Sequence, residues 1–178
     1  MDVDELKALY QSGERDFRQV DLRGANLQKL NLSQANFCGA NLQKANLRKA
    51  SLCDVILTGA NLYKANLTKA DLRRASLYKA ILNQADLREA NLHRTCLIKA
   101  DLFNANLHGA ILNHADLDGA ILHGANLHHA HFSWANLRQA DLKQARYLES
   151  SDFSSAKFCR TFMADGSVRD DDCYENGF

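Results

Sequence analysis

The chain has 178 residues, a formal net charge of +1, no proline and nine glycines. This length suits one domain, and the composition leaves no visible linker. No stretch approaches the ~20 consecutive apolar residues of a membrane-spanning helix. The acidic start Met1-Asp2-Val3-Asp4-Glu5 lacks the basic region and apolar core of a signal peptide, so no membrane association and a cytoplasmic location are expected.

Residues 2–12 read as a short helix. Asp2 followed by Glu5 fits a capping box. Leu6, Leu9 and Tyr10 share a helical face, and Gly13 supplies a stop. The expectation is an N-terminal cap over residues 1–14 that lays Leu6, Leu9 and Tyr10 on the adjoining end of the main body of the chain.

From Asp16 to Ala145 a five-residue beat takes over. Every fifth position from Phe17 through Leu22 and Leu27 to Leu142 is Leu or Phe. The residue two before each is nearly always Ala, with Val20, Leu30, Val55 and Thr95 as departures. A helix turning about 100° per residue would scatter such leucines, and a long strand has period two. Ala and Leu two apart do point the same way from a short extended segment, and the remaining residues can turn a corner. Four such sides close a coil of about twenty residues, and stacked coils bury a continuous core. Four columns of centres result: Leu22 to Leu142, Leu27 to Leu127, Leu32 to Phe132, and Phe37 to Leu137, each in steps of twenty. The second comprises Leu27, Leu47, Leu67, Leu87, Leu107 and Leu127. Beside it stand Asn26, Asn46, Asn66, Asp86, Asn106 and Asn126, whose stacked side chains can form a hydrogen-bonded ladder.

The unit Ala-(Asp/Asn)-Leu-x-x, written out in Ala85-Asp86-Leu87-Arg88-Glu89, resembles the motif of the pentapeptide-repeat family. The opening around Glu14-Arg15-Asp16-Phe17 and the closing Phe158-Cys159-Arg160-Thr161-Phe162-Met163-Ala164-Asp165-Gly166-Ser167 resemble those of its cyanobacterial members. The resemblance implies an all-β fold, a right-handed quadrilateral β-helix solenoid over residues 15–145 behind the short α-helical cap. Leu and Ala then face inward and the other three positions outward.

After Ala145 the register slips by one. Leu148, Phe153, Phe158 and Met163 keep the spacing, which predicts a degenerate last coil and a tail over 146–178, with a turn at Asp165-Gly166 and a solvated Asp170-Asp171-Asp172. The odd, scattered set Cys38, Cys53, Cys96, Cys159 and Cys173 without a CxxC reads as free thiols.

Three outward features are candidates for function. Residues 18–99 carry 14 Lys and Arg against 5 Asp and Glu, including a column of Lys29, Lys49 and Lys69 with Arg48 and Arg88 beside it. Such a stripe suits an anionic partner such as nucleic acid. His108 and His128 should stack, with His129 adjacent, and imidazoles so placed can ligate a transition metal. No carboxylate or Cys completes a set, so no metal and no cofactor are assigned. Ile81 and Ile121 occupy positions normally Asn or Asp, and Tyr63 and Phe103 lie on the same wall, a possible contact patch. No nucleophile–base pairing, phosphate loop or carboxylate pair is present, so no catalytic residue and no enzyme activity are assigned.

The expected function is therefore a noncatalytic scaffold presenting flat walls to an unidentified protein partner, as a monomer or an end-to-end or face-to-face dimer. The family resemblance adds another role, DNA mimicry toward a type II topoisomerase. That role depends on a strongly acidic surface, and the first half of this chain is basic. Nucleic-acid binding by that basic half is the remaining alternative.

Overall fold

The computed structural model describes residues 1–173. Helix α1 spans Val3–Gln11, and the Asp2 carboxylate accepts from the Glu5 N–H at 2.8 Å, which satisfies one of the orphan donors of the first turn. Leu6 is fully buried, and the Tyr10 hydroxyl donates to the Ser33 carbonyl at 2.9 Å. The sequence placed Leu9 on the same contact, but it is exposed. Around the helix axis Tyr10 and Leu9 lie on opposite sides of Leu6, about 40° and 60° away, and one narrow coil end cannot cover both.

Beyond Glu14 the chain stacks in coils of twenty residues. Parallel bridges join the residue before each centre to its counterpart twenty on, as in Asn26↔Asn46↔Asn66↔Asp86↔Asn106↔Asn126, and four such columns run along the solenoid. We number these walls in the order of their centres Leu22, Leu27, Leu32 and Phe37.

Within the stack, a pentapeptide with Asp or Asn before its centre disposes of all five of its N–H groups. In the repeat around Leu87, the Asp86 N–H donates to Ala65 O of the coil below at 2.9 Å. Those of Leu87 and Glu89 donate to Asn106 O and His108 O of the coil above, at 2.8 and 2.9 Å. The Ala90 N–H turns back to Leu87 O at 3.0 Å. The fifth, that of Arg88, donates to Oδ1 of Asp86 at 3.2 Å. The Asp or Asn before each centre is thus first of all an acceptor for its own turn. The expected side-chain ladder is confined to steps such as Asn46 to Asn26 and Asn126 to Asn106, both 3.1 Å. The second outward residue lies in the left-handed region, with φ of 58° at Lys49 and 55° at Glu89. At Gly124, φ 67°, an added Cβ would sit 2.2 Å from Asn104 Oδ1, so the Asn104 amide would have to swing aside to admit a side chain.

The Leu and Phe centres from Phe17 to Leu142 are buried, and so are the alanines from Ala35 to Ala145. Val55 and Thr95 replace Ala without opening the core, the Thr95 hydroxyl donating to Leu72 O at 2.7 Å. Val20, Ala25 and Leu30 are only partly buried, because α1 alone covers the first coil.

The register slip occurs at one place. Asn126 bridges Arg146, twenty residues on, but His131 bridges Asp152, twenty-one on. Tyr147, at φ 66°, and a 3-10 turn Leu148–Ser150 hold the extra residue. Phe153 then stacks on Phe132 with ring centroids 4.9 Å apart, and Phe158 is buried beyond it. Strands β1 (Thr161–Phe162) and β2 (Val168–Arg169) close the end as an antiparallel hairpin, with Gly166 at φ 85° in the turn. Two expectations fail here. Cys159 and Cys173 form a disulfide, since the hairpin returns the chain to its own start. The acidic run is not simply solvated. Asp172 Oδ2 accepts from the Phe158 N–H at 2.8 Å, and Asp170 Oδ1 from the Arg160 N–H at 2.6 Å. Tyr174 to Phe178, the remainder of the predicted tail, lie outside the described residues.

Two measurements test this architecture. Leu87 is fully buried, whereas the exposed Arg88 pairs only with Asp86. Leu87→Lys is expected to lose about 3 kcal/mol or more in chemical denaturation, and Arg88→Ala less than about 1 kcal/mol; the reverse order would overturn the inward and outward assignment. The second concerns Asp152, whose carboxyl is held down to about 2, chiefly by the Ser133 hydroxyl and then by the Ser154 hydroxyl and N–H. The stability this gives is complete above the ordinary value of 3.8 and is lost as pH falls through about 2. The deficit of Asp152→Asn relative to the parent should therefore shrink between about pH 4 and about pH 2.

Candidate interaction surfaces

Leu and Ala fill the solenoid interior, so any partner must meet the outward positions or the two ends. On the first wall Ile81, Phe103 and Ile121 stand together. Both isoleucines are 42% exposed and Phe103 37%. Their ladder runs Asn61, Ile81, Asp101, Ile121, Asp141, Phe162, so one carboxylate separates the isoleucines and an exposed Phe162 extends the patch. His123 stacks on Phe103 at 5.6 Å, and Lys143 Nζ lies 4.2 Å from the Phe162 ring. Tyr63 shares the wall but is partly buried, with Lys64 against its ring.

These isoleucines break the local rule. Ile cannot accept the N–H two residues on, so those of Asn83 and His123 lack the acceptor that Asp86 gives Arg88. A residue that forfeits a structural bond while exposing apolar surface is a candidate for function.

Trp134, which the sequence reading did not single out, is 61% exposed. It stacks over His114 with rings 9° from parallel, and Ile111, 37% exposed, lies on the same third wall. Its signal was available, since a lone Trp at the second free position of a repeat must face outward.

The basic stripe is less free than its composition implies. Arg88 pairs with Asp86, Arg73 with Asp71 and Arg74 with Asp54, each at 2.6 Å, and Lys69 with Glu89 at 3.1 Å. The cause is the repeat itself: Asp86–Arg88 and Asp71–Arg73 flank one centre and project side by side from a short extended segment, whereas Arg74–Asp54 and Lys69–Glu89 stack between coils, twenty residues apart. The Arg74 guanidinium accordingly holds the Asp54 carboxyl below its usual range. Lys29, Arg48 and Lys49 make no ion pair among the described residues.

The histidines do gather on the second wall. His108 Nδ1 and His128 Nδ1 are 3.0 Å apart, so one nitrogen donates and the other accepts. The His129 ring lies 4.0 Å from that of His128, and the edge of Tyr147 closes the group at 5.2 Å. The ring nitrogens of all three do not converge on one point, and the facing pair holds a proton between them. At the N-terminal end a cavity of about 220 Å³ lies against α1, lined by Lys7, Tyr10, Gln11, Leu30, Asn31 and Leu32.

A family model described as pentapeptide repeats matches in 8 copies, together spanning residues 16–165. The chain belongs to the pentapeptide repeat family. Members of this family fold as right-handed β-helices, in accord with the twenty-residue ladders. Among solved structures it is similar to HetL from the cyanobacterium Nostoc sp. strain PCC 7120, described as involved in heterocyst differentiation regulation. The identity is 27% and the TM-score 0.64, over 95% of this chain and 100% of HetL. QnrB1, a plasmid-mediated fluoroquinolone resistance protein, shares the fold at 16% identity and a TM-score of 0.52, over 81% of this chain and 85% of QnrB1. The pentapeptide repeat protein alr5209 from Nostoc PCC 7120 aligns at 38% identity and a TM-score of 0.39, over 59% of this chain and 80% of its own. A search of curated proteins by sequence finds no match.

The histidine group of this pentapeptide repeat protein has a measurable signature. Partial burial, then the neighbouring His129 and His108, lower the His128 pKa from 6.5. In an NMR titration His128 should gain its proton below the ordinary histidine range, and His129→Gln should move its midpoint upward. An unchanged midpoint would show that the imidazoles do not sense one another.

Proposed function

We propose that the chain forms a closed, quadrilateral right-handed β-helix that serves as a noncatalytic cytoplasmic scaffold and offers its first wall to a protein partner. The observation that carries this is the Ile81–Phe103–Ile121 patch, where apolar side chains replace residues the repeat needs for its own turns. Anchors of this kind, interleaved here with Asp101 and Asp141 and flanked by Lys143, suit a protein interface that combines apolar contacts with polar groups. The DNA-mimic role is disfavoured by charge, since the outward residues of the first five coils are predominantly basic. Lys29, Arg48 and Lys49 favour a second reading, in which the basic half holds a nucleic acid.

One pair of substitutions separates a functional from a structural role for the patch. Ile81→Asn and Ile121→Asn restore the side-chain acceptor for the N–H of Asn83 and His123, and should each stabilise the chain by about 0.5–1.5 kcal/mol. In affinity capture from cell extract, the same double variant should retain any protein bound to the parent at least about tenfold less well. A triple Lys29→Glu, Arg48→Glu, Lys49→Glu variant should capture it unchanged. Equal capture by the isoleucine variant, or loss only in the charge variant, would overturn the assignment of the first wall.

A further inference from the structure

The C-terminal end holds a group of side chains that the scaffold role does not use. The Sγ atoms of Cys159 and Cys173 and a carboxylate oxygen of Asp170 all lie within 4.8 Å of one another. The two sulfurs are joined as a disulfide, and Cys173 Sγ is 3.3 Å from Asp170 Oδ1. We propose that, once the disulfide is reduced, these three residues bind a borderline-soft divalent cation of the Zn²⁺ class.

The first ground is the donor set. Two thiolates and a carboxylate are the ligands such an ion prefers over oxygen-only sites. With metal–sulfur distances of about 2.3 Å and metal–oxygen distances of about 2.1 Å, tetrahedral geometry puts donors roughly 3.5–3.8 Å apart. The sulfurs therefore need to part by about 1.5 Å when their bond is broken, a shift within reach of rotation about the cysteine side-chain bonds.

The second ground is that the site does not depend on the S–S bond for its shape. Asp172 clasps the opposite strand twice, its N–H donating to Phe158 O and its Oδ2 accepting from the Phe158 N–H, both at 2.8 Å. Asp170 is fixed by the Arg160 N–H. Arg138 donates to Asp172 O at 2.9 Å, and the Arg169 guanidinium lies 3.7 Å above the buried Phe158 ring. The Cys159 N–H donates to Thr161 Oγ1, which is itself anchored on Leu137 O. These contacts hold both cysteines in place as thiols. A cavity of about 320 Å³ lined by Gln139, Cys159, Arg160, Asp170 and Cys173 opens beside them and leaves room for an ion and a coordinated water in the fourth position.

The chemistry balances in two steps. A small-molecule thiol reductant supplies two electrons to the S–S bond. The protein gains two thiols, and two reductant molecules leave joined as a disulfide. Cation binding then converts both thiols to thiolates and releases two protons. The disulfide and the metal are thus alternative fasteners of one C-terminal clasp, and the oxidised form excludes the ion.

The test uses the full chain, metal-stripped and handled without oxygen, with Zn²⁺ in competition against a chromophoric chelator and Cd²⁺ as an ultraviolet reporter of thiolate ligation. The reduced chain should take up one ion and show a thiolate-to-cadmium charge-transfer band. The oxidised chain should do neither. Replacing Cys38, Cys53 and Cys96 together with Ser should leave both signals intact. Cys159→Ser should abolish the band, and Asp170→Asn, which keeps both thiols, should weaken Zn²⁺ binding at least about tenfold. Far-ultraviolet circular dichroism confirms that each variant keeps its coils. The proposal is overturned if the reduced chain binds no stoichiometric ion, if the band follows Cys38, Cys53 and Cys96 instead, or if Asp170→Asn binds Zn²⁺ as tightly as the parent.

Discussion

The whole structure depends on turning a corner every five residues without leaving a backbone donor unpaired. A buried or edge N–H without a partner is expensive, and a solenoid built from single-residue bridges has no long ladders to average the loss. The repeat meets this by division of labour. Three N–H groups go to neighbouring coils, one turns back within the repeat, and the fifth is met by the Asp or Asn side chain. The inward Leu and Ala supply the driving force, but Leu alone would not fix the pitch. The side-chain acceptor and the left-handed residue do that.

Because each coil contacts only its neighbours, the ends are different problems from the middle. At the start, α1 covers the first coil with one buried leucine and a tyrosine hydrogen bond, and leaves Val20, Ala25 and Leu30 partly exposed. At the finish the centres become larger. Phe132, Phe153 and Phe158 succeed one another where stacked leucines would run out of partners above. The extra residue at Tyr147 changes the spacing of the bridges from twenty to twenty-one, and the chain ends in a hairpin that the disulfide and Asp172 hold closed.

Most of the fold was legible because a strict period constrains every residue alike. Leu87 is buried for the same reason as Leu27, and the slip after Ala145 was visible as a shifted beat. What stayed hidden depends on contacts that no period encodes. The Cys159–Cys173 bridge joins the segments that lead into and out of the hairpin, whose closure follows from Gly166 and Asp172, not from cysteine spacing. Leu9 is exposed because the coil end is small, a matter of dimensions and not of helical phase. The candidate wall was half legible. Ile81 and Ile121 declared themselves by violating the motif, whereas Trp134 fills a free position, so its outward direction was legible but its degree of exposure was not.

The same backbone constraint accounts for where seven of the lysines stand within their repeats. The second outward residue of each repeat lies at φ near +55° to +60°, a region that β-branched side chains avoid. No Val, Ile or Thr occupies that position from Gln19 to Gln144. Glycine fills some of the corners, and long unbranched side chains fill most of the others. Lys29, Lys44, Lys49, Lys64, Lys69, Lys79 and Lys99 all stand there. A lysine on such a corner projects into water, keeps the coils soluble and needs no ligand to account for it. An isoleucine before a centre is the opposite case. It surrenders a hydrogen bond the turn requires and exposes apolar surface as well, so the backbone gives no reason for it to be there. Departures from the repeat therefore carry more information about function than the repeat's own charges: Ile81 and Ile121 stand on the first wall with Phe103, whereas Ile56 and Ile111 stand on the fourth and third walls.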